Sequence, residues 1–352
     1  MNIDEFIHAY SFHRHSIEPI FRDGKNVNGC LPLDIYSSHV LEVLQDQAVE
    51  FGTLWESGDM PVLRYNEAYC RWRAKRITEC EAIRNDRITC TLPWQVLRYI
   101  PSQMRRSTRL YWSQGRLGSC MGHADAFAHH SATLQAIACG SPLIYSSINP
   151  IVTWSITKGG STWGGQSVSE MAAGANRLGH FTEEMVGEDN QRIPKNYRDY
   201  ENEAKQYQSS VLFLDFSGEE LVEEIFACCQ AGQSVAMGNS TAVSGSEQDE
   251  NGVKVAVLSG TWAHATHFTS YRRTGGKEYI GWVNSHGDIY PSSDEEEPGD
   301  MCWMDKKTAM RFCRTVPQYG APYVVFPEAP YHTTDHTLYV KYQIPWPKYW
   351  RF

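Results

Sequence analysis

The feature that most restricts the fold of this chain is a run of twenty residues, CMGHADAFAHHSATLQAIAC, at positions 120–139. Small and apolar residues occupy most of its positions, so a helix built from it would be apolar around most of its circumference. Gly140, Ser141 and Pro142 follow and would end such a helix. The pattern therefore predicts a largely buried helix at 120–139, around which the rest of a domain packs.

The character of the sequence changes after residue 230. Before that point, the pattern predicts further helices at 167–178 and 218–230. After it, the segments VKVAVLSG, HATHFTSYRR and EYIGWVNSHG have the β-branched and aromatic content of strands, with turns predicted at Ser259-Gly260 and Gly275-Gly276. A helix-rich half followed by a strand-rich half predicts an α+β fold.

Composition narrows the function class. The chain has 352 residues, 41% of them hydrophobic, which excludes a wholly disordered or fibrous protein. Its 32 Lys and Arg against 41 Asp and Glu give a net charge of −9, which argues against nucleic acid as a partner. The N-terminus lacks the pattern of a signal peptide, and no apolar run has the length of a membrane span, so we expect a soluble protein without an export signal.

One segment departs from this acidic average. Residues 64–109 contain eleven Arg or Lys against four acidic residues, a local net charge of +7. The segment is interpreted either as a binding face for nucleic acid or an acidic partner, or as a solvated helix face that docks on the acidic remainder. The second interpretation is favoured because charge runs usually serve solvation.

The ten cysteines show neither a Cys-x-x-Cys pair nor clustering with histidine at zinc spacing. A disulfide scaffold with this many cysteines would normally be shorter and secreted. We therefore expect free thiols in the cytoplasm or another reducing compartment, with Cys228, Cys229, Cys302 and Cys313 in the core.

Cys120 is the exception among them, since it follows the run QGRLGS and begins the predicted buried helix. The positive end of the helix dipole lowers the pKa of a thiol at that position. The glycines permit a tight loop, and Gln114 could direct an amide N–H toward the carbonyl oxygen of a group under attack. Together with the Cys120 backbone N–H it would form an oxyanion hole.

A nucleophilic thiolate needs a histidine and a group that orients the imidazole. Two predicted strands, WAHATHFTSY and GWVNSHG, supply both and would bring His264 near Asn284. His267 is a rival base, but it is three residues along the strand and points to the opposite face, so His264 is favoured. His123, His129 and His130 are interpreted as packing or surface residues rather than ligands.

In these motifs the sequence resembles the papain-like cysteine peptidases. The run from Gln114 to Cys120 is similar to that family's Gln-Gly-x-x-Gly-Ser-Cys motif, and His264-Ala265 with Tyr271 is similar to its His-Ala…Gly-Tyr strand. Asn284-Ser285-x-Gly287 is similar to its Asn-Ser-Trp-Gly, and Trp163-Gly164-Gly165 falls where it has a Cys-x-Gly-Gly loop. His264 follows Cys120 by 144 residues, near the 130–150 typical of the family.

The resemblance implies a two-lobed domain, with the nucleophile in a helical lobe and His and Asn in an antiparallel β lobe. It implies Cys120 as nucleophile, His264 as base and acid, Asn284 as orienting residue and Gln114 as oxyanion donor. It also implies that Gly164 and Gly165 contact the substrate backbone. Amide hydrolysis through a thioester acyl-enzyme would then need neither a metal nor an organic cofactor.

Three positions depart from the family's pattern. Leu117 stands where secreted members carry a disulfide cysteine, in keeping with a reducing compartment. Met121 replaces the aromatic residue after the nucleophile, and His286 replaces the tryptophan that shields the Asn–His hydrogen bond from water.

The expected organisation is a helical N-terminal extension at 1–92 with a basic second half, a papain-like domain at 93–326, and an arm rich in proline and aromatic residues at 327–352. The extension is either a propeptide or a permanent domain. Two functions are compared: a thiol peptidase acting on a polypeptide or peptide-like substrate, and a structural or assembly protein such as a virion component. In the second case the arm would bind protein partners.

Overall fold

The computed structural model describes residues 90–91, 105–107, 113–138, 144–187, 193, 195–214, 216–230, 232–286 and 301–327. Most of the N-terminal extension, most of the basic segment and nearly all of the C-terminal arm lie outside the described residues. The domain boundaries inferred from the sequence therefore stay predictions. Among the described residues, no helix is both long enough and apolar enough to cross a membrane.

The helical lobe is built around α1 (Cys120–Ala138), whose described side chains are buried on all sides. This confirms the buried helix predicted from the run of small and apolar residues. Around α1 lie α2 (Pro150–Thr157), α3 (Val168–Leu178), α4 (Glu183–Val186) and α5 (Glu201–Ala204), with 3₁₀ turns at Tyr197–Tyr200 and Lys205–Tyr207.

Side chains define where α2 and α3 begin. Asn149 precedes α2 and accepts hydrogen bonds from the backbone N–H groups of Ile151 and Val152. Ser167 and Glu170 form a reciprocal capping box at the start of α3, the helix predicted at 167–178. Such caps satisfy N–H groups that have no partner within the helix.

The β lobe is an antiparallel sheet in the order β2-β7-β3-β4-β5-β6. Its strands are β1 (Cys90–Thr91), β2 (Ser209–Phe213), β3 (Val235–Gln248), β4 (Lys254–Thr274), β5 (Lys277–Val283), β6 (Met301–Asp305) and β7 (Tyr323–Pro327). A parallel contact between Val255 of β4 and Trp303 of β6 curls the sheet upon itself. The fold is therefore the predicted α+β arrangement, with Cys120 in the helical lobe and His264 and Asn284 in the β lobe.

Helices α6 (Gly218–Gln230) and α7 (Lys306–Cys313), with a 3₁₀ turn at Val316–Tyr319, pack on the sheet. Their shared core includes Phe268, Trp282 and Phe312. The predicted helix at 218–230 is confirmed. The four cysteines expected in the core are buried.

One predicted turn is wrong. The Ser259-Gly260 pair does not end a strand, because β4 continues from Lys254 to Thr274. Gly260 has a φ of 84°, and the register between β3 and β4 shifts nearby, between the Thr241 and Val243 pairings. The glycine therefore lies in an irregular stretch of a continuous strand. The turn predicted at Gly275-Gly276 is confirmed, and both residues have positive φ.

β1 pairs with β4 through Cys90–Arg272 and Thr91–Tyr271. These two N-terminal residues belong to the segment expected to be an extension of the domain. They nevertheless join the strand that carries His264, so at least the end of that segment is part of the sheet.

Candidate active site

The site begins at the N-terminus of α1, where the Cys120 side chain is completely buried. The backbone N–H of Ala265 donates a hydrogen bond to Cys120 Sγ over 3.3 Å. A backbone donor and the positive end of a helix dipole both stabilise negative charge on sulfur. Both therefore face the sulfur, where they would stabilise the negative charge that develops when the thiol loses its proton.

His264, the residue before Ala265, is held in place by a hydrogen bond with Asn284. Its Nε2 lies 2.6 Å from Asn284 Oδ1, and that oxygen also accepts the backbone N–H of Ser285. Because an amide oxygen can only accept, Nε2 must carry the proton. In the neutral ring the lone pair is then on Nδ1, which is buried and has no hydrogen-bond partner within the described part of the chain.

Burial controls the charge of this imidazole. The pKa of His264 is lowered to about 3, chiefly by desolvation and also by the nearby His286 and His123, while the Asn284 hydrogen bond acts in the opposite direction. At neutral pH, His264 is therefore uncharged. A neutral ring with a lone pair on Nδ1 can accept a proton from a thiol within its reach.

Two aromatic side chains enclose the His264 ring. His286 stacks on it with centroids 4.8 Å apart, and Trp262 is tilted against it at 4.6 Å. Trp262 also donates its indole N–H to Asn239 Oδ1 over 3.1 Å. His286 thus lies beside the Asn–His pair, where the resemblance leads one to expect a tryptophan, and Trp262 covers the imidazole from another side.

Gln114, the expected oxyanion donor, is buried, and its amide is fixed in orientation. Its Oε1 accepts a hydrogen bond from Ser285 Oγ, and its Nε2 donates to the Leu117 carbonyl over 2.9 Å. Its backbone N–H also donates to the Ser285 carbonyl over 2.7 Å. A primary amide has two N–H bonds, so one donor of Nε2 remains beyond the bond to Leu117.

Ser285, the residue after Asn284, is therefore bound to Gln114 in the loop before Cys120. Sequence reasoning did not assign it a role, although it stands in the Asn-Ser motif that carries the resemblance. Through Ser285, the oxyanion donor of one lobe and the orienting residue of the other are held in a fixed relation.

His267 does not join the site. Its ring lies 5.2 Å from that of Phe127 on α1, and within the described residues neither nitrogen has a hydrogen-bond partner. Burial lowers its pKa to about 3. The structure places the orienting amide of Asn284 beside His264 rather than beside this rival base.

The three histidines of α1 are all buried. His123 Nδ1 donates to the Ser119 carbonyl over 2.9 Å, and His130 Nε2 accepts the backbone N–H of Ile148 over 2.8 Å. His129 packs against His180 with ring centroids 4.6 Å apart. These contacts are those of packing residues, one of the two alternatives that the sequence left open.

The glycine pair expected to meet the substrate lies between α2 and α3. Gly164 is exposed and Gly165 is buried. The carbonyls of Trp163 and Gly164 accept hydrogen bonds from Lys158 Nζ over 2.6 and 2.7 Å. Sequence reasoning missed Lys158, because nothing in a lone lysine after a helix signals that its ammonium is buried.

The sequence matches no protein-family model and no curated protein. Solved structures similar to this chain include cysteine proteases. Xylellain, a cysteine protease from Xylella fastidiosa, is 16% identical, with 66% of this chain and 88% of that chain covered and a TM-score of 0.41. Bromelain from Ananas comosus is 14% identical, with 69% and 99% covered and a TM-score of 0.42. Digestive procathepsin L 3 of Tenebrio molitor is 14% identical, with 81% and 99% covered and a TM-score of 0.42.

Proposed function

We propose that this protein is a papain-like thiol peptidase or amidase that hydrolyses an amide bond through Cys120, His264 and Asn284. The observation that carries the proposal is the pairing of His264 Nε2 with Asn284 Oδ1, next to a residue whose N–H binds the Cys120 sulfur. That arrangement puts a neutral imidazole, whose Nδ1 has no hydrogen-bond partner among the described residues, one residue along the strand from the N–H that contacts the thiol.

In the first half of the reaction, Cys120 Sγ attacks the carbonyl carbon of the amide and His264 Nδ1 takes the thiol proton. The oxygen that becomes negative accepts N–H bonds from the Cys120 backbone and the remaining donor of Gln114 Nε2. The C–N bond then breaks, and the imidazolium returns its proton to the leaving amine. The product is a thioester on Cys120.

In the second half, a water attacks the thioester carbonyl while His264 Nδ1 takes one of its protons. The C–S bond breaks, the carboxylic product leaves, and the proton returns to the sulfur. Asn284 keeps the ring in one tautomer throughout, because its oxygen holds the proton on Nε2. The low pKa of His264 means that the ring is neutral before it accepts a proton from the thiol or from the water.

Alkylation of thiols tests this proposal. Iodoacetamide is applied between pH 4 and 9, and the rate at each cysteine is measured by peptide mass spectrometry. We expect Cys120 to react faster than the buried Cys228, Cys229, Cys302 and Cys313, and to slow by about tenfold or more in His264→Ala, which lacks the base. Asn196→Ala, at an exposed position, serves as the matched control and should label like the wild type.

Equal labelling of all buried thiols, or an unchanged Cys120 rate in His264→Ala, would contradict an activated nucleophile. The structural or assembly role would then be favoured. A Cys120→Ala variant that retains full biological function would support that alternative.

A further inference from the structure

Trp262 lies in an irregular stretch of β4 beside the imidazole of His264. The register between β3 and β4 shifts between Asn239 and Thr241, where β4 spans one residue more than β3, and Trp262 is in this bulge. A bulge changes the direction of a side chain relative to that in a regular strand. The indole is tilted against the His264 ring, with centroids 4.6 Å apart. The irregularity of the strand therefore coincides with an aromatic ring placed against the candidate base.

Three contacts fix the indole of Trp262. Its N–H donates to Asn239 Oδ1 over 3.1 Å, and its ring stacks on that of Trp282 with centroids 6.3 Å apart and an angle of 21° between the planes. Trp282 is completely buried in the core of the β lobe. The ring of His286 meets the indole at 85°, with centroids 6.4 Å apart. The indole is thus supported by the core on one side and meets the rings of the site on the other.

Asn239 holds this indole with an amide that is otherwise incompletely paired. It is opposite His264 in the β3–β4 ladder, and its side chain is completely buried. An indole N–H can only donate, so the amide directs its oxygen toward Trp262. The Nδ2 group then has no hydrogen-bond partner within the described residues. Because a buried donor without a partner costs stability, this asparagine is retained at a cost, and what its side chain does in return is bind the indole.

The hydrogen bond between His264 and Asn284 has a polar ring on one side and an apolar ring on another. His286 stacks on the imidazole with centroids 4.8 Å apart, but it is a polar side chain and only half-buried. Trp262 contributes the larger, apolar surface. A hydrogen bond is electrostatically stronger where water is excluded and the local dielectric is low. The indole is therefore the ring that can keep water from this bond.

We propose that Asn239 is a positioning residue that fixes the Trp262 indole against His264, and that this indole keeps water from the hydrogen bond between His264 and Asn284. The inference rests on the proposed function, because it concerns the same imidazole. Neither Asn239 nor Trp262 belongs to the motifs that carry the resemblance, so the resemblance assigns no role to either residue.

Hydrogen exchange of the His264 Nε2 proton measures this cover directly. Exchange with water is followed at pH 7 by ¹⁵N-edited NMR of the full chain, and the resonance is assigned by its loss in His264→Gln. In Trp262→Ala we expect the exchange rate to rise by about tenfold or more, because water reaches the hydrogen bond. The His180 Nδ1 proton, which is donated to the Tyr207 carbonyl in the helical lobe, is the internal reference and should keep its rate.

A double-mutant cycle tests whether Asn239 acts through the indole N–H. Asn239→Leu should raise the exchange rate of the His264 proton by about fivefold, because the indole is no longer fixed. In Trp262→Phe, which keeps an aromatic ring but has no N–H, the same substitution should add nothing further. Asn239→Asp keeps an acceptor oxygen and should restore most of the wild-type rate. Asn196→Leu, at an exposed position, is the matched control.

The pH profile of Cys120 alkylation connects the cover to the chemistry. Desolvation is the chief cause of the low pKa of His264, so removal of the indole should raise that pKa. The ring is then protonated at a higher pH, and the acid limb of labelling in Trp262→Ala should move up by about 1 pH unit. A residue that only stabilises the fold would leave this limb in place.

An unchanged exchange rate in a folded Trp262→Ala chain, or an equal effect of Asn239→Leu with and without the indole N–H, would overturn the inference. Should Asn239→Leu fail to fold, the cycle is run with Asn239→Ala. Failure of the proposed function has a separate signature, namely that Cys120 of the unsubstituted chain shows no enhanced labelling. The exchange rates do not depend on the thiol and can be measured in either case.

Discussion

Two buried histidine clusters in this molecule differ in how fully their polar atoms are paired. In the helical lobe, His180 Nε2 lies 2.7 Å from Asp125 Oδ2, His180 Nδ1 lies 2.7 Å from the Tyr207 carbonyl, and Tyr323 donates to Asp125 Oδ1 over 2.6 Å. In the candidate site, His264 has one bond, to Asn284, and its Nδ1 has no partner among the described residues.

Under the proposed function, this difference separates a structural cluster from a reactive one. Asp125 lies on α1, His180 follows α3 and Tyr323 begins β7, so the paired cluster joins the two lobes around the helix that carries Cys120. An unpaired buried nitrogen, in contrast, costs stability. A fold retains such a nitrogen most readily where it has chemistry to perform.

Removal of the Asp125 carboxylate tests whether the paired cluster is structural. The Asp125 carboxylate is the hydrogen-bond partner of two buried side chains, His180 and Tyr323. In Asp125→Ala both of these buried polar groups lose their partner, and we expect the free energy of unfolding to fall by about 3–5 kcal/mol. Chemical denaturation measures it, with the exposed Asp199→Ala as the matched control.

A loss below about 1 kcal/mol in Asp125→Ala would mean that the cluster does not support the lobes. Cys120 labelling, measured in the fraction that remains folded, should change little, because neither Asp125 nor His180 contacts the thiol. A selective loss of labelling would place these residues in the reactive cluster instead.

The same residues show which parts of the site could be predicted from the sequence. The Gln114–Cys120 run and the His264 and Asn284 strands could be predicted, because each motif is local and the hairpin brings its two members together. The Asp125–His180–Tyr323 cluster could not, since its members are 55 and 198 residues apart and no local pattern connects them. Lys158 was missed for a related reason, because burial of an ammonium depends on carbonyls placed by a loop.

Strands β2, β3, β6 and β7 were also not predicted. β3 contains the sequence GNSTAVSGSEQ, whose glycines and small polar residues are typical of turns. It forms a strand because it pairs with β4 over most of its length and buries only its first half. Tertiary pairing overrides local propensity there.

The second prediction concerns His267, which is unpaired like His264 but lies outside the site. If buried nitrogens without hydrogen bonds are retained only for function, His267 should lower the stability of the fold without any compensating role. We expect His267→Leu to raise the free energy of unfolding at pH 7 by about 1–3 kcal/mol, because it removes two buried nitrogens without hydrogen bonds among the described residues. Urea denaturation measures the change, and Cys120 labelling should be unaffected.

The benefit should increase in acid. The folded pKa of His267 is about 3, below its unfolded value near 6.5, so its folded state must resist protonation over that range. The neutral ring therefore costs no stability from proton binding above pH 6.5. Between pH 6.5 and pH 3, the free energy of unfolding falls by about 1.4 kcal/mol for each pH unit. His267→Leu should remove this dependence and move the acid unfolding midpoint to lower pH. No shift in that midpoint would contradict the assignment.

The smallest expected effect tests whether His286 tunes the base. Protonated His286 repels a charge on the stacked His264 ring, and this repulsion is one cause of the low pKa of His264. In His286→Asn, we expect the pKa of His264 to rise, so the acid limb of Cys120 labelling should move up by about 0.5–1 pH unit. His286→Trp separates charge from shielding, because it removes the charge but keeps a ring over the Asn–His pair. Equal shifts of the acid limb in both variants would assign the effect to the charge of His286. A shift in His286→Asn alone would assign it to the exclusion of water by the ring. No shift in either variant would contradict a role for His286 in setting the pKa of His264.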